Sequence, residues 1–352
     1  MIELGVDQHK EFSQVAALDT ESGVVKQTRL EHDDPDAIRA FVASLGPQVR
    51  ASLETTGNWY WLADLLEEEG AEVHLANPYE TRRMLKARRA KNDRLDAEAL
   101  ATLSHQGLLP QVYLPAREQR DERERHRFRI RLISLQTRVK NIIHSILSKL
   151  NVSTPFSDMF GKSGRACLDA LDLREPYGDQ LRSALRILDA IQPEINRVRK
   201  QVTERLKADP RAQLLQSAPG VGELTAYLIL TEVGPVERFP SQKQFVRYCC
   251  LAPGTWQSAD SRRDLPVGRR GNLYLKAALV TAAITAARTD ATLAGYYRCT
   301  ARRKGTSTAL VATARRLAIC IYHMLKNGEP YRPAAKSIRR SGKPHLRLGQ
   351  QS

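Results

Sequence analysis

Residues 2–30 read IELGVDQHKEFSQVAALDTESGVVKQTRL. Three apolar-rich runs, Ile2–Asp7, Gln14–Leu18 and Val24–Leu30, are separated by polar or glycine-containing turns, which predicts three short consecutive strands. Working outward, Pro35 opens an amphipathic helix to about Leu45, with Asp34 before it as N-cap. Arg50–Glu54 reads as a fourth strand. Asn58 caps a predicted helix from Trp59 to Glu69 that stops at Gly70. Glu72–Ala76 is the fifth strand, and Pro78 begins a helical stretch to about His105. This is an α/β pattern.

Three strands followed by helix, strand, helix, strand and helix is the order of a ribonuclease H-like domain. Pro110 and Pro115 mark a linker after it. Beyond lie two long helical stretches. Phe128, Leu132, Leu135, Val139, Ile142, Ile146 and Leu150 form a near-heptad seam in the first. The second carries Leu181, Leu185, Leu188, Ile191, Ile195, Val198, Val202 and Leu206, and ends before Pro210. The two predict an antiparallel hairpin or a pairing with a second subunit, and turn residues in Ser153–Pro176 separate them. From about Arg211 the chain reads as helical around a polar, basic centre at Leu251–Asn272, with helices over Leu273–Ala287 and Thr308–Leu325. After Pro330 come six Lys/Arg and no acid, the composition of a disordered tail.

Of the 352 residues, 55 are Lys or Arg and 39 Asp or Glu, a net charge of +16. The charge is divided: residues 1–113 hold 12 basic and 19 acidic side chains, and the remainder 43 and 20. So basic a larger part points to a polyanionic partner, nucleic acid before membrane. Ala277–Ala287, the longest uncharged apolar stretch, is far shorter than the roughly 20 residues a bilayer requires. The N-terminus lacks a basic-then-apolar signal design, so a cytoplasmic location is expected. Five cysteines without CxxC or metal spacing suit a reducing compartment.

Asp7 and Glu54 each end a predicted strand, where functional side chains of α/β domains converge. Asp93 and Asp96 lie three apart on a predicted helix and so share a face. Four gathered carboxylates repel one another, a conflict that divalent cations resolve. Oxygen-only ligation suits Mg²⁺ or Mn²⁺, and a pair of ions can drive attack at phosphorus. Seven basic residues surround the Asp93/Asp96 pair, at Arg82, Arg83, Lys86, Arg88, Arg89, Lys91 and Arg94, a guide for phosphates. Gly220 and Gly222, in Pro219-Gly-Val-Gly222, would let backbone N–H groups approach a phosphate, although a plain turn reads almost equally well. Ser258 and Ser261 stand among Arg262, Arg263, Arg269 and Arg270, where a hydroxyl could attack a phosphodiester.

Gly5-Val-Asp-Gln-His-Lys10, Glu54-Thr-Thr-Gly57, Ala76-Asn-Pro78 and Lys91-Asn-Asp-Arg-Leu-Asp-Ala97 resemble the signatures of DEDD-type insertion-sequence transposases, the insertion-sequence-110 family related to Piv-type DNA invertases. Pro219–Gly222, Arg238-Phe-Pro240, Leu251-Ala-Pro253, Gln257-Ser258 and Gly268-Arg-Arg-Gly-Asn272 continue the resemblance over about residues 1–330. It implies a RuvC-like domain (1–113) with Asp7, Glu54, Asp93 and Asp96 as the Mg²⁺ (or Mn²⁺) site, and a helical coiled-coil domain (114–210). A mainly α transposase domain (211–330) and the basic tail (331–352) complete the chain. Alignment back from Arg270-Gly-Asn272 gives Ser258 as the nucleophile that becomes linked to DNA phosphate. Ala259 stands where the family usually has glycine, so Ser261 stays open. The resemblance further implies donor and target DNA and a structured bridge RNA as partners, in a homodimer or homotetramer without a membrane. A junction nuclease using water and a non-catalytic nucleic-acid-binding regulator are the alternatives.

Overall fold

The computed structural model describes residues 1–55, 58–85, 93–258, 261–268 and 270–333. The chain divides into two compact units between Arg117 and Glu118.

In the first unit, β1 (Ile2–Gln8), β2 (Phe12–Asp19) and β3 (Val25–Glu31) form an antiparallel meander. Helix α1 (Pro35–Ser44) starts at Pro35 because Asp34 caps it, its carboxylate accepting from the Ala37 N–H at 3.0 Å. Strand β4 (Val49–Glu54), helix α2 (Trp59–Glu68) and strand β5 (Glu72–Ala76) follow, then helices α3 (Pro78–Leu85) and α4 (Asp93–His105). A two-residue edge strand, β6 (Gln111–Val112), closes a sheet of order β3-β2-β1-β4-β5-β6. Strands β1, β4 and β5 are parallel to their neighbours in that set; β2, β3 and β6 run antiparallel to theirs.

Side chains alternate across a strand, so one residue set faces each layer. Leu4, Val6, Val15, Ala51, Leu53 and Leu75 form one face, packed with Ile38 and Val42 of α1 and Leu62 and Leu66 of α2. The opposite face carries α4, whose Leu100 and Leu103 pack on Ala76 and Leu109. The expected strands and helices of residues 2–76 are present within two residues of their predicted ends. The predicted stretch Pro78–His105 contains α3 and α4; its residues 86–92 lie outside those described.

The second unit is mostly helical: α5 (Arg117–Lys149), α6 (Lys162–Asp169), α7 (Tyr177–Lys207), α8 (Pro210–Gln216), α9 (Glu223–Val233), α10 (Gln242–Tyr248), α11 (Leu273–Thr289), α12 (Ala291–Lys304) and α13 (Thr306–Asn327). Arg205 donates to Glu122 and Gln136 to Gln192, so α5 and α7 run antiparallel. Val139, Ile143 and Leu147 of α5 meet Leu168 of α6 and Leu181, Leu185 and Leu188 of α7. Val198, Val202 and Leu206 of α7 instead join α8–α11 and α13 in a second core.

Three local expectations are corrected. Val139 and Ile146 of the predicted seam are buried, but Phe128, Leu135 and Ile142 are exposed, because α7 packs on a line of α5 that runs from Val139 through Ile143 and Leu147. The polar Leu251–Asn272 segment is an antiparallel hairpin, β7 (Pro253–Ser258) with β8 (Ser261–Val267). The separator Ser153–Pro176 contains α6, whose Leu168 is buried in the hairpin core. Among the described residues no helix is long and apolar enough to cross a membrane. The predicted tail falls, from residue 334 on, outside the described residues.

Candidate active site

Glu3, Gly5 and Asp7 occupy the α4-facing side of β1, alternating with Leu4 and Val6 in the opposite core. In the parallel register Gly5 lies beside Ser52. Glu54, two residues beyond Ser52, therefore shares that face and ends β4 next to the end of β1. Helix α4 crosses this face at very short range. A Cβ built on Gly5 would stand 1.9 Å from the Ala97 carbonyl oxygen and 2.7 Å from the Ala101 nitrogen, both backbone atoms. Only glycine admits the helix this close. Asp93 lies one helical turn before Ala97 in the same row, and Asp7 lies two residues beyond Gly5. A turn and a two-residue strand step both span about 6 Å, so the two carboxylates arrive together.

His9 Nε2 lies 3.2 Å from Asp7 Oδ2 and 3.3 Å from Asp93 Oδ2. The ligand atoms of Asp7, His9 and Asp93 all fall within 4.8 Å of one another. These side chains are 24%, 32% and 47% exposed, open enough for an external ligand to reach. Burial pushes the Glu54 carboxyl above its ordinary pKa; the Asp7 and Asp96 charges add to this, while Arg82 opposes it. The four carboxylates predicted from the sequence thus meet, or act on one another, at one end of the sheet. Carboxylate oxygens brought together in this way fit a divalent cation. His9 Nε2 supports that fit, since it is shielded from solvent and makes no hydrogen bond.

Of the predicted phosphate guides, Arg82 and Arg83 are exposed on α3, and Arg83 pairs with Glu80 at 3.7 Å. Arg94 lines a cavity of about 350 Å³ together with Asp93, Phe12, Gln14 and Arg29. Arg88 and Arg89, with Lys86 and Lys91, lie outside the described residues.

In the second unit the backbone pairs Ser258 directly with Ser261 at the closed end of the hairpin. The side chains of Ser258, Ser261, Arg262 and Arg263 fall outside the described set, as does Arg269; Arg270 is exposed beyond the hairpin. The chain leaving the hairpin is anchored firmly. Asn272 donates from its backbone to the Tyr248 carbonyl and from Nδ2 to Glu232 Oε2 at 2.7 Å, and it caps α11 through the Leu275 N–H. Glu232 is fully buried and also accepts from Arg127 Nε and Nη2, while Arg123 donates to the Thr231 and Glu232 carbonyls. Gly220 has φ +80° and backs onto the Ala282 carbonyl, so packing against α11 already requires glycine there. Gly222 is the N-cap of α9, with open space around it.

The sequence reading passed over His9. The signal that could have found it is its spacing, because residues 7 and 9 continue the two-residue alternation beyond the strand end.

Two family models match the chain. One, described as a transposase family of DEDD type, covers residues 4–152; the other, the transposase IS116/IS110/IS902 family, covers residues 212–298. A probable family 20 transposase of Pseudomonas aeruginosa is 26% identical over 345 residues, spanning 94% of this chain and 98% of its own. The transposase for insertion sequence element IS1111A of Coxiella burnetii is 26% identical, spanning 94% and 92%. An insertion element IS110 protein of Streptomyces coelicolor is 33% identical over 145 residues, 41% of this chain and 36% of its own.

Proposed function

The chain belongs to the IS116/IS110/IS902 transposase family, enzymes that cut and rejoin the DNA of insertion sequences, and on that premise we propose how its residues do so. The observation that carries the proposal is the meeting of Asp7 and Asp93 at the end of one sheet face, with Gly5 admitting α4 and Glu54 near enough to feel the Asp7 and Asp96 charges. The strand order β3-β2-β1-β4-β5, with carboxylates at the ends of β1 and β4, supports a ribonuclease H-like, RuvC-like reading of residues 1–113. Residues 114–210 are then the helical coiled-coil domain and 211–330 the transposase domain.

Asp7, Glu54, Asp93 and Asp96 would hold Mg²⁺ or Mn²⁺. When bound, the ion supplies charge neutralisation at a scissile phosphate. Arg82, Arg83 and Arg94 hold the flanking phosphates beside the carboxylates, and Arg88 and Arg89, near them in sequence, take the same role. Ser258 is the nucleophile. Its Oγ forms a bond to phosphorus as a P–O bond to the sugar breaks; the serine gives up its proton, and the departing sugar oxygen takes one. The phosphoserine keeps the energy of the broken bond, so a hydroxyl of the second strand can displace the serine and reseal the DNA without ATP. Arg262, Arg263, Arg269 and Arg270 balance the charge on the phosphate in flight.

The substrates are donor and target DNA in the cytoplasm, and a structured bridge RNA selects both by base pairing, in the manner of other RNA-guided systems. The net charge of residues 114–352, 43 basic against 20 acidic, supports a nucleic-acid grip of that extent. Phe128, Leu135 and Ile142 recur at intervals of seven along α5 and are 43%, 45% and 52% exposed, which supports coiled-coil pairing with a second copy of the chain.

The test is Ser258→Ala with guide RNA and labelled DNA on denaturing gels. The covalent protein–DNA adduct is expected to disappear while RNA binding persists. An adduct that survives makes Ser261 the nucleophile, and free nicks without an adduct in the unsubstituted protein point to attack by water.

A further inference from the structure

Three groups meet at the end of β1, and the carboxylate scheme explains two of them. The third, His9, faces Asp7 and Asp93 through Nε2 at 3.2 and 3.3 Å. An imidazolium neutralising two acids would direct its N–H along one of these contacts, yet neither has hydrogen-bond geometry. The nitrogen is nonetheless shut off from water. Leaving such an atom without a hydrogen bond is costly unless something else occupies the space between it and the carboxylates.

The distances match what an ion requires. An octahedral ion with bonds of about 2.1 Å holds ligand atoms on adjacent corners about 3 Å apart. The His9–Asp7 and His9–Asp93 separations are both close to that spacing. The imidazole ring is also held in place: it stacks on Phe12 with centroids 4.5 Å apart and planes inclined by 30°, and the Arg29 guanidinium carbon lies 3.7 Å from the Phe12 centroid. This stacking limits rotation of the ring and keeps Nε2 turned toward the two carboxylates.

Resting on the metal reading above, we infer that His9 Nε2 is a direct ligand of the divalent ion held by Asp7 and Asp93. A nitrogen ligand disfavours Mg²⁺, which prefers oxygen throughout, and favours first-row transition ions, for which imidazole is a good donor. The centre therefore prefers Mn²⁺ over Mg²⁺ more strongly than the four carboxylates alone would, and Mn²⁺ is the accessible probe. Phe12 and Arg29 act as positioning residues for the ligand.

The experiment uses metal-free full-length protein titrated with Mn²⁺, with bound ion followed by electron paramagnetic resonance. Pulsed measurements then read nitrogen coupling to the bound ion. Protein labelled with ¹⁵N at histidine alone should replace the ¹⁴N coupling with ¹⁵N, which assigns the nitrogen to an imidazole without any substitution. His9→Gln should still bind Mn²⁺ but lose the coupling, and its preference for Mn²⁺ over Mg²⁺ in competition should fall by about tenfold or more. Bound Mn²⁺ without histidine coupling in the unsubstituted protein, or coupling that persists in His9→Gln, overturns the inference. If Asp7→Ala abolishes Mn²⁺ binding in that case, the carboxylate reading stands while His9 is excluded. If the unsubstituted protein binds no Mn²⁺ and no Mg²⁺, both readings fail together.

Discussion

Replacing Gly5 with alanine adds one methyl group on the face of β1 where α4 lies closest. That methyl would stand 1.9 Å from the Ala97 oxygen, whereas ordinary contact begins near 3.4 Å, so the helix must retreat by about 1.5 Å. Both short contacts are to the backbone of α4, so no side-chain rotation relieves them. Overpacking of this kind costs about 1–3 kcal/mol. For a unit of roughly this size that corresponds to about 4–15 °C in melting temperature. The functional effect is larger than the stability effect. Asp93 rides on the displaced helix while Asp7 stays on the strand, and an added 1.5 Å separates carboxylates that one ion must span. Two ligands on opposite corners of an ion with bonds of about 2.1 Å are only about 4.2 Å apart. Gly5→Ala is therefore expected to lose divalent-metal binding in calorimetric titration and DNA cleavage with it, while the circular dichroism spectrum stays close to normal. The double variant Gly5→Ala/Ala97→Gly should be no better, since the clash is with the carbonyl rather than the Ala97 methyl. A Gly5→Ala protein that binds Mn²⁺ with unchanged affinity, or a double variant that recovers it, would refute the close-approach argument.

Three further outcomes are expected. Because burial and the Asp7 and Asp96 charges raise the Glu54 pKa, the metal-free protein binds a proton there that the unfolded chain has released. Its stability should thus fall as pH rises from about 4.5 through that raised value, and Glu54→Gln should flatten this slope in pH-dependent melting of metal-free protein while weakening Mn²⁺ binding. Glu232→Ala strips Arg127 and Asn272 of a fully buried partner and should destabilise the second unit by about 3–5 kcal/mol in urea unfolding; a loss below about 1 kcal/mol contradicts the anchoring role. Leu135→Lys with Ile142→Lys should leave α5 folded, as both side chains are exposed, and convert the assembly to monomers in analytical ultracentrifugation.

Sequence by itself determined the strands and helices of residues 2–76 and the carboxylates at their ends, because these depend on local alternation, caps and breakers. Asp34 caps α1 and Gly70 follows α2 wherever the rest of the chain goes. The motif resemblance likewise sits in short contiguous stretches, which is why it was legible without coordinates. What tertiary structure alone decided depends on which surfaces meet. Gly5 is compatible with any strand until α4 is laid across it, and only then is a side chain there excluded. His9 is one polar residue among three until the end of β1 and the start of α4 bring Asp7 and Asp93 to its ring. The helix period permits several apolar lines on α5, and α7 selects Val139, Ile143 and Leu147 while leaving Phe128, Leu135 and Ile142 outside. The β7–β8 hairpin was hidden by its polar, proline-containing sequence. The chain that leaves it is held at α11 by the Glu232–Asn272 anchor, whose partners lie 40 residues apart.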